Sequence, residues 1–269
     1  MGLTTHLGAP VPYVTLTPDD LDAHHLCCAL GDKKHEAGVA AKKAWLVERM
    51  AEGLVFRKLD VRGKVFIEYM PGEHAWRPVV APGWLVIHCL WVSGRYQKQG
   101  HGRALLQSCV DDARAAGRHG VVVAVETKKR PFLGDRRFFE HHGFEEVDRA
   151  GAFRLLALGV GDESGPTPRF TDAVHAGQRP AAQGTFVARF DAQCPFNRHW
   201  AQQVVDDLRG AGHEATLQPV TTREEALTMA SPLGTYGLER DGALACHHLT
   251  STAATQRMLD RLPTPPGGV

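Results

Sequence analysis

The sequence has no CxxC pair, few aromatic residues, no surplus of either charge and no long apolar run, and each absence removes a class of explanation. Six cysteines, at positions 27, 28, 89, 109, 194 and 246, are too few and too scattered for the disulfide framework of a small secreted domain. A four-ligand zinc site of the usual kind would have to draw on distant residues, so no metal is expected. Thirty-one Lys plus Arg against thirty Asp plus Glu give a formal net charge of +1, which supplies no global field for nucleic acid or an anionic membrane. No uninterrupted apolar stretch nears the roughly 18 residues that a membrane span requires. The first residues lack the basic region and apolar run of a leader, and a cytoplasmic location is the expectation.

What is present is enough chain for two cores: 269 residues, of which 43% are hydrophobic and 23% charged. The composition changes abruptly between Gly159 and Gly184, where Gly, Pro, Ser and Asp accumulate. This stretch divides the chain into a domain over 1–160, a linker over 161–184, a smaller domain over 185–263 and a disordered tail over 264–269. In the first part, the patterning predicts a helix from about Pro18 and another over Ala41–Ala51, then a hairpin of Leu54–Leu59 and Lys64–Met70. Gly63 is expected to supply a positive φ at its turn. The apolar run Trp84–Val92 reads as a buried strand, followed by a Gly-containing loop and a helix over about 100–116. Val121–Val125 is a further strand, Asp135–His142 a helix stopped by Gly143, and two more strands close the unit. Beyond the linker the order reads strand, helix, strand, helix, two strands around Asp241-Gly242, and a last helix. The fold class is mixed α/β.

Between the Trp84–Val92 strand and the next helix lies Gln97-Lys98-Gln99-Gly100-His101-Gly102-Arg103. The first N–H groups of a helix have no partner within it, and its dipole favours an anion there. Gly100 and Gly102 let the main chain approach a pyrophosphate closely. Two glycines at a strand-to-helix turn equally serve only to shape a loop.

The QxxGxG pattern, preceded by LeuTrpVal and followed by AlaLeuLeu, resembles the acyl-CoA-binding motif of the GNAT acetyltransferase superfamily. The later PhePheGluHisHisGlyPhe at 138–144 is similar to that superfamily's closing signature. A closer resemblance, over almost the whole chain, is to the YoaP-like family, GNAT domains with their own C-terminal extension. It is carried by HisLeuCysCysAla at 25–29, LysLysAlaTrpLeu at 42–46, the segment 53–69, CysLeuTrpValSerGly at 89–94 and LysLysArgProPheLeu at 128–133. The resemblance implies a splayed GNAT sheet with acetyl-CoA as cosubstrate and an amine, small molecule or peptide, as acceptor. It implies that the backbone from Gln97 to Arg103 holds the CoA pyrophosphate, that main-chain groups of Leu90, Trp91 and Val92 line the pantetheine arm, and that Phe139 lies at the acyl-CoA site.

Acetyl transfer to an amine requires removal of a proton from the ammonium and return of one to the CoA thiolate. His88, two residues before Leu90, is the first candidate base, because imidazole titrates near neutrality; its alternative is a buried histidine hydrogen-bonded to a neighbour. Glu126, placed just past the next strand, is the second, against the reading of a solvated loop residue. The position of the family's usual acidic Tyr is Phe139, which cannot donate a proton. The acid is left to His141, water or no dedicated group.

His24, His25, Cys27 and Cys28 form HHxCC, read as core cysteines with surface histidines rather than a metal site. In the smaller domain, Cys194-Pro195-Phe196-Asn197 falls at a strand-to-helix junction that would favour thiolate. With βαβαββα order, and Pro232 where thioredoxin-like folds carry a cis-proline, this unit resembles a thioredoxin relative. Asn197 stands where a resolving cysteine would be, so dithiol exchange is not expected from this motif alone. A monothiol role for Cys194, acceptor binding, and plain packing or homodimer formation remain open. The leading reading is an N-acyltransferase; the alternative is a thiol-binding or redox adaptor whose GNAT domain senses acyl-CoA without catalysis.

Overall fold

The computed structural model describes residues 12–26, 31–128, 134–161, 165–179, 184–248 and 252–260. Strand β1 (Tyr13–Thr15) is followed by a 3-10 turn at Pro18–Asp20 and, later in the chain, by a second at Lys33–His35 that runs into helix α1 (Glu36–Ala51). The longer helix expected from Pro18 does not form. Leu21 and Leu26 both bury in one core, a spacing of five that a continuous helix would spread over two faces. Strands β2 (Val55–Leu59) and β3 (Val65–Pro71) make the expected hairpin. Gly63 does not take a positive φ there; a Cβ on it would stand 2.2 Å from the Tyr96 ring, so it is smallness that the turn needs.

Then follow β4 (Val79–Val80), β5 (Trp84–Val92), α2 (His101–Ala115), β6 (Gly120–Glu126), α3 (Arg136–His141), β7 (Glu145–Ala150) and β8 (Phe153–Gly159). Seven strands form one mixed sheet in the order β1-β2-β3-β5-β6-β8-β7, in which β5 and β6 are the parallel pair. Core residues segregate by face. Leu85, Ile87, Val121, Val123 and Val125 pack towards α2, whereas Trp84, Val86 and Val122 pack with Trp45 and Leu46 of α1.

The stretch read as a linker contributes β9 (Arg169–Phe170), paired with β4, and α4 (Asp172–Gly177). Phe170 and Val174 are fully buried in the α1-side core, which also takes Val220, Ala226 and Met229 from the C-terminal half. The smaller unit comprises β10 (Phe186–Phe190), α5 (Asn197–Gly210), β11 (Ala215–Pro219), α6 (Arg223–Leu227), β12 (Tyr236–Arg240), β13 (Ala243–Cys246) and α7 (Thr252–Leu259). Its sheet runs β11-β10-β12-β13 and encloses a core of its own around Phe186, Val204, Val205 and Leu238. Asp241 and Gly242 both take positive φ, as the tight β12–β13 turn demands. Among the described residues, no helix is long and apolar enough to cross a membrane.

Candidate active site

Strands β5 and β6 pair from Trp84↔Gly120 to Ile87↔Val123 and no further, although both continue, β5 to Val92 and β6 to Glu126. Each holds its other neighbour past that point, β5 against β3 and β6 against β8, so the two part in the middle of the sheet. Burial follows: β5 is buried from Trp84 to His88 and half-exposed from Cys89 to Val92. A cleft between two strands thus opens beside Leu90, Trp91 and Val92. At the parting point β5 carries a bulge, because Glu68 of β3 pairs with Cys89 and Tyr69 with Ile87, leaving His88 extra. The ring of His88 faces Trp45 of α1.

On the α2 side, Gly100 caps the helix with φ 84° and Lys98 takes φ 60°. Among the described residues, nothing accepts from the main-chain N–H groups of residues 98–103; the first intrahelical bond runs from Ala104 to the Gly100 carbonyl at 3.0 Å. Six main-chain donors without an acceptor, in and just ahead of one helix start, suit a diphosphate. The side chains of Gln97 and Gln99 turn back to the carbonyls of Val92 and Arg95, bracing the loop rather than reaching out. Tyr13 closes one flank, its hydroxyl 2.7 Å from Nδ1 of His101. Arg103 is exposed.

The α1 side of the cleft is polar and roofed by the C-terminal half. Lys42 of α1 donates to Glu68 at 2.7 Å and to the carbonyl of Gln193 at 2.8 Å. Arg77 donates to Gln193 Oε1 and to the His88 carbonyl, both at 2.6 Å. His88 Nδ1 stands 3.7 Å from Glu68 Oε1, beyond hydrogen-bond range, and both ring nitrogens lack a partner among the described residues. Burial, with Arg77 beside it, holds the imidazole down to about 4, so it is neutral at neutral pH. Burial works to raise Glu68, but the Lys42 ammonium, aided by His88, prevails and takes it down to about 2. Asp191, just past β10, is pushed by burial up to about 7 against the pull of Arg77; its Oδ1 accepts from the Gln193 amide and its Oδ2 is unpartnered.

Glu126 is not the solvated loop residue of the alternative reading. It is the last residue of β6, 3% exposed, and its Oε2 lies 3.1 Å from Nε2 of His247, just beyond β13. Alternation along β6 sets it on the α1 face with Val122 and Ala124. Phe139, which the resemblance sets at the acyl-CoA site, is buried against Phe138 and Phe144 in the α2-side core. His141 is exposed at the end of α3 and, among the described residues, makes no hydrogen bond or ion pair.

Cys194 is half-buried in the loop ahead of α5, close enough to Arg77 to bear on its charge. Asn197, in the resolving-cysteine position, donates instead to the Thr235 carbonyl at 2.6 Å and clamps the loop. Among the described residues every peptide bond is trans, so Pro232 does not supply the cis-proline expected there. His25 Nε2 lies 2.6 Å from the Gly63 carbonyl, while Cys27, Cys28, residues 129–133 and the tail lie outside the described residues. Sequence reading missed Lys42, Glu68, Arg77, Asp191, Gln193 and His247. Lys42 and Glu68 carried one available signal, a charged residue amid apolar strand and helix patterning.

A mixed sheet whose single parallel pair parts beside a helix-opening loop rich in free N–H groups is the architecture of GNAT acetyltransferases. Residues 19–144 match the model of the Acetyltransferase (GNAT) family. The chain is 38% identical over 258 residues, 93% of its length and 99% of the relative's, to the uncharacterized N-acetyltransferase YoaP of Bacillus subtilis (strain 168). Solved structures with a similar fold include the PaiA N-acetyltransferase of Thermoplasma acidophilum in complex with coenzyme A, at 14% identity, 55% of this chain, 99% of that one and a TM-score of 0.39. The ribosomal-protein-S18-alanine N-acetyltransferase of Escherichia coli aligns at 18% identity, 57% of this chain, 96% of that one and a TM-score of 0.38. The chain belongs to the GNAT family, in its YoaP-like branch. It is an acyltransferase with acetyl-CoA as cosubstrate.

Proposed function

We propose that this protein transfers the acetyl group of acetyl-CoA to an amine that enters from the α1 side of the sheet, between a GNAT unit over 1–160 and a thioredoxin-like module over 185–263. The observation that carries this reading is the loss of β5–β6 pairing beyond Ile87 and Val123, flanked by free N–H groups on one face and buried polar side chains on the other. The main chain of 97–103 would hold the diphosphate, and the half-exposed backbone of Leu90, Trp91 and Val92 would border the pantetheine arm. On the opposite face, His88 and Glu126 are the candidate proton acceptors. His88 is present as the neutral imidazole a base requires, with its basicity lowered by burial, and Glu126 is the carboxylate alternative at the end of β6.

Asp191, Gln193 and Cys194 come from the module and roof this face, which supports a role for the module in choosing the acceptor. The element order and the sheet order β11-β10-β12-β13 support the thioredoxin-like reading. A second reading, an acyl-CoA-sensing adaptor working through Cys194, draws on the placement of that thiol near Arg77. Release of free CoA from acetyl-CoA, followed with panels of amines and thiols, tests both. Turnover lost in His88→Ala or Glu126→Ala and kept in Cys194→Ser supports transfer; the reverse pattern supports the adaptor. Calorimetry showing no binding of acetyl-CoA or CoA removes the basis of both.

A further inference from the structure

The Glu126 carboxylate ends the strand that parts from β5, and its side chain is only 2% exposed. A carboxylate so placed is costly unless something holds it. What holds it across the seam is His247, at 3.1 Å, whose ring stands edge-on to Phe153 with centroids 4.7 Å apart. Phe153 is itself the residue paired with Glu126 in β8. The imidazole is therefore located both by the group it touches and by that group's own strand partner. With the carboxylate ionised, Nε2–H is the donor, and a charge-assisted bond of this kind in a buried setting fixes direction as well as energy.

We infer that His247, supplied by the C-terminal module, is a positioning residue for acetyl transfer: its N–H aims the Glu126 carboxylate at the cleft as the acceptor of the amine proton. This rests on the reading of the parted strands as the transfer site. The carboxylate takes one proton from the acceptor's ammonium. The nitrogen lone pair so released forms the C–N bond at the thioester carbonyl, the C–S bond breaks, and the second proton leaving nitrogen goes to the departing CoA sulfur. Products are the amide and free CoA thiol, and Glu126 returns its proton to water. His247 gains and loses nothing over the cycle. The module thus completes the proton-accepting unit of the GNAT half in addition to roofing its cleft.

Calorimetric titration of wild type with acetyl-CoA comes first, followed by CoA release with L-lysine, cadaverine and glycinamide as probe amines. His247→Ala is expected to lower kcat about 10- to 100-fold, the usual cost of losing a group that orients a reacting one, with KM for acetyl-CoA unchanged. His247→Gln, which keeps an N–H donor, should recover part of the loss and serves where the alanine variant fails to fold. In a Glu126→Gln background, His247→Ala should cost nothing more, since two residues acting as a unit are not additive. Independently of turnover, the ring signals of His247 in long-range 1H–15N spectra of the free protein should report protonated Nε2 and shift in Glu126→Gln. Wild-type kcat in His247→Ala, fully additive losses, or an unmoved ring signal overturns the inference while leaving the transfer reading intact. Binding without CoA release on any probe overturns it too, and absence of acetyl-CoA binding overturns the transfer reading itself.

Discussion

The Arg77 guanidinium donates to the main-chain carbonyl of His88 at 2.6 Å, tying a loop between β3 and β4 to the bulge where the central strands part. Its other arm holds Gln193 of the C-terminal half. Arg77→Met would leave the His88 carbonyl and the Gln193 side-chain oxygen, both buried, without their cationic donor. Leaving two buried acceptors of a charged donor unsatisfied typically costs about 2–5 kcal/mol. Urea unfolding should show a loss of that size, and a loss below about 1 kcal/mol would mean that the bulge and the module are held elsewhere.

The pH dependence of stability should carry two opposed slopes. Asp191 has a folded value raised to about 7 from an ordinary 3.8, so its contribution is full below 3.8 and is lost as pH rises towards 7. His88 has a folded value lowered to about 4 from 6.5, so the fold loses stability as pH falls from 6.5 towards 4. In the shared window they offset. Asp191→Asn should therefore make stability climb more steeply between pH 4 and 6.5 than in wild type, and His88→Gln should make it decline with rising pH. Urea midpoints measured across that range decide the matter; unchanged slopes in both variants would contradict the burial described for these groups.

Gly38 of α1 lies against the Pro195 carbonyl, where an added Cβ would stand 2.1 Å from the oxygen. Gly38→Ala should cost about 1–3 kcal/mol by forcing helix and loop apart. Gly210, at the end of α5, has open space and an ordinary φ, and its alanine variant should be neutral or more stable by up to about 1 kcal/mol. Thermal unfolding of the two variants should move in different directions.

Gly100 sits at φ 84° with nothing near a prospective Cβ. Gly100→Ala would therefore act through backbone conformation alone, at about 1–2 kcal/mol. Should the loop relax to escape that strain, its N–H groups would be displaced, and affinity for acetyl-CoA should fall roughly tenfold. Calorimetry reads this directly, and unaltered affinity would argue against diphosphate binding at residues 98–103.

The strands and their order along the chain were legible wherever period or apolar runs dominate, as in Trp84–Val92, Val121–Val125 and the hairpin before them. The helix-opening loop was legible too, because glycine spacing after an apolar strand is a local signal. The parting of the strands was not, since it depends on a bulge that places His88 and on neighbours far away in sequence. The solvated-loop alternative for Glu126 stayed open because its partner His247 is 121 positions distant. The 159–184 stretch read as a connector from its composition, yet Phe170 and Val174 within it bury fully in the α1-side core. Propensity describes segments, and the polar face of this cleft is built from pairs that no single segment contains.

Because Val220, Ala226 and Met229 share a core with Trp45 and Leu46, the two halves do not inherit separately. A shortened gene ending near Gly159 would strip Lys42 of the Gln193 carbonyl and expose the apolar floor beneath Phe170 to water. Descendants that shed the extension would have to rebuild that floor, whereas recombination that swaps one extension for another must preserve the small residue at position 38 and a carbonyl to meet it.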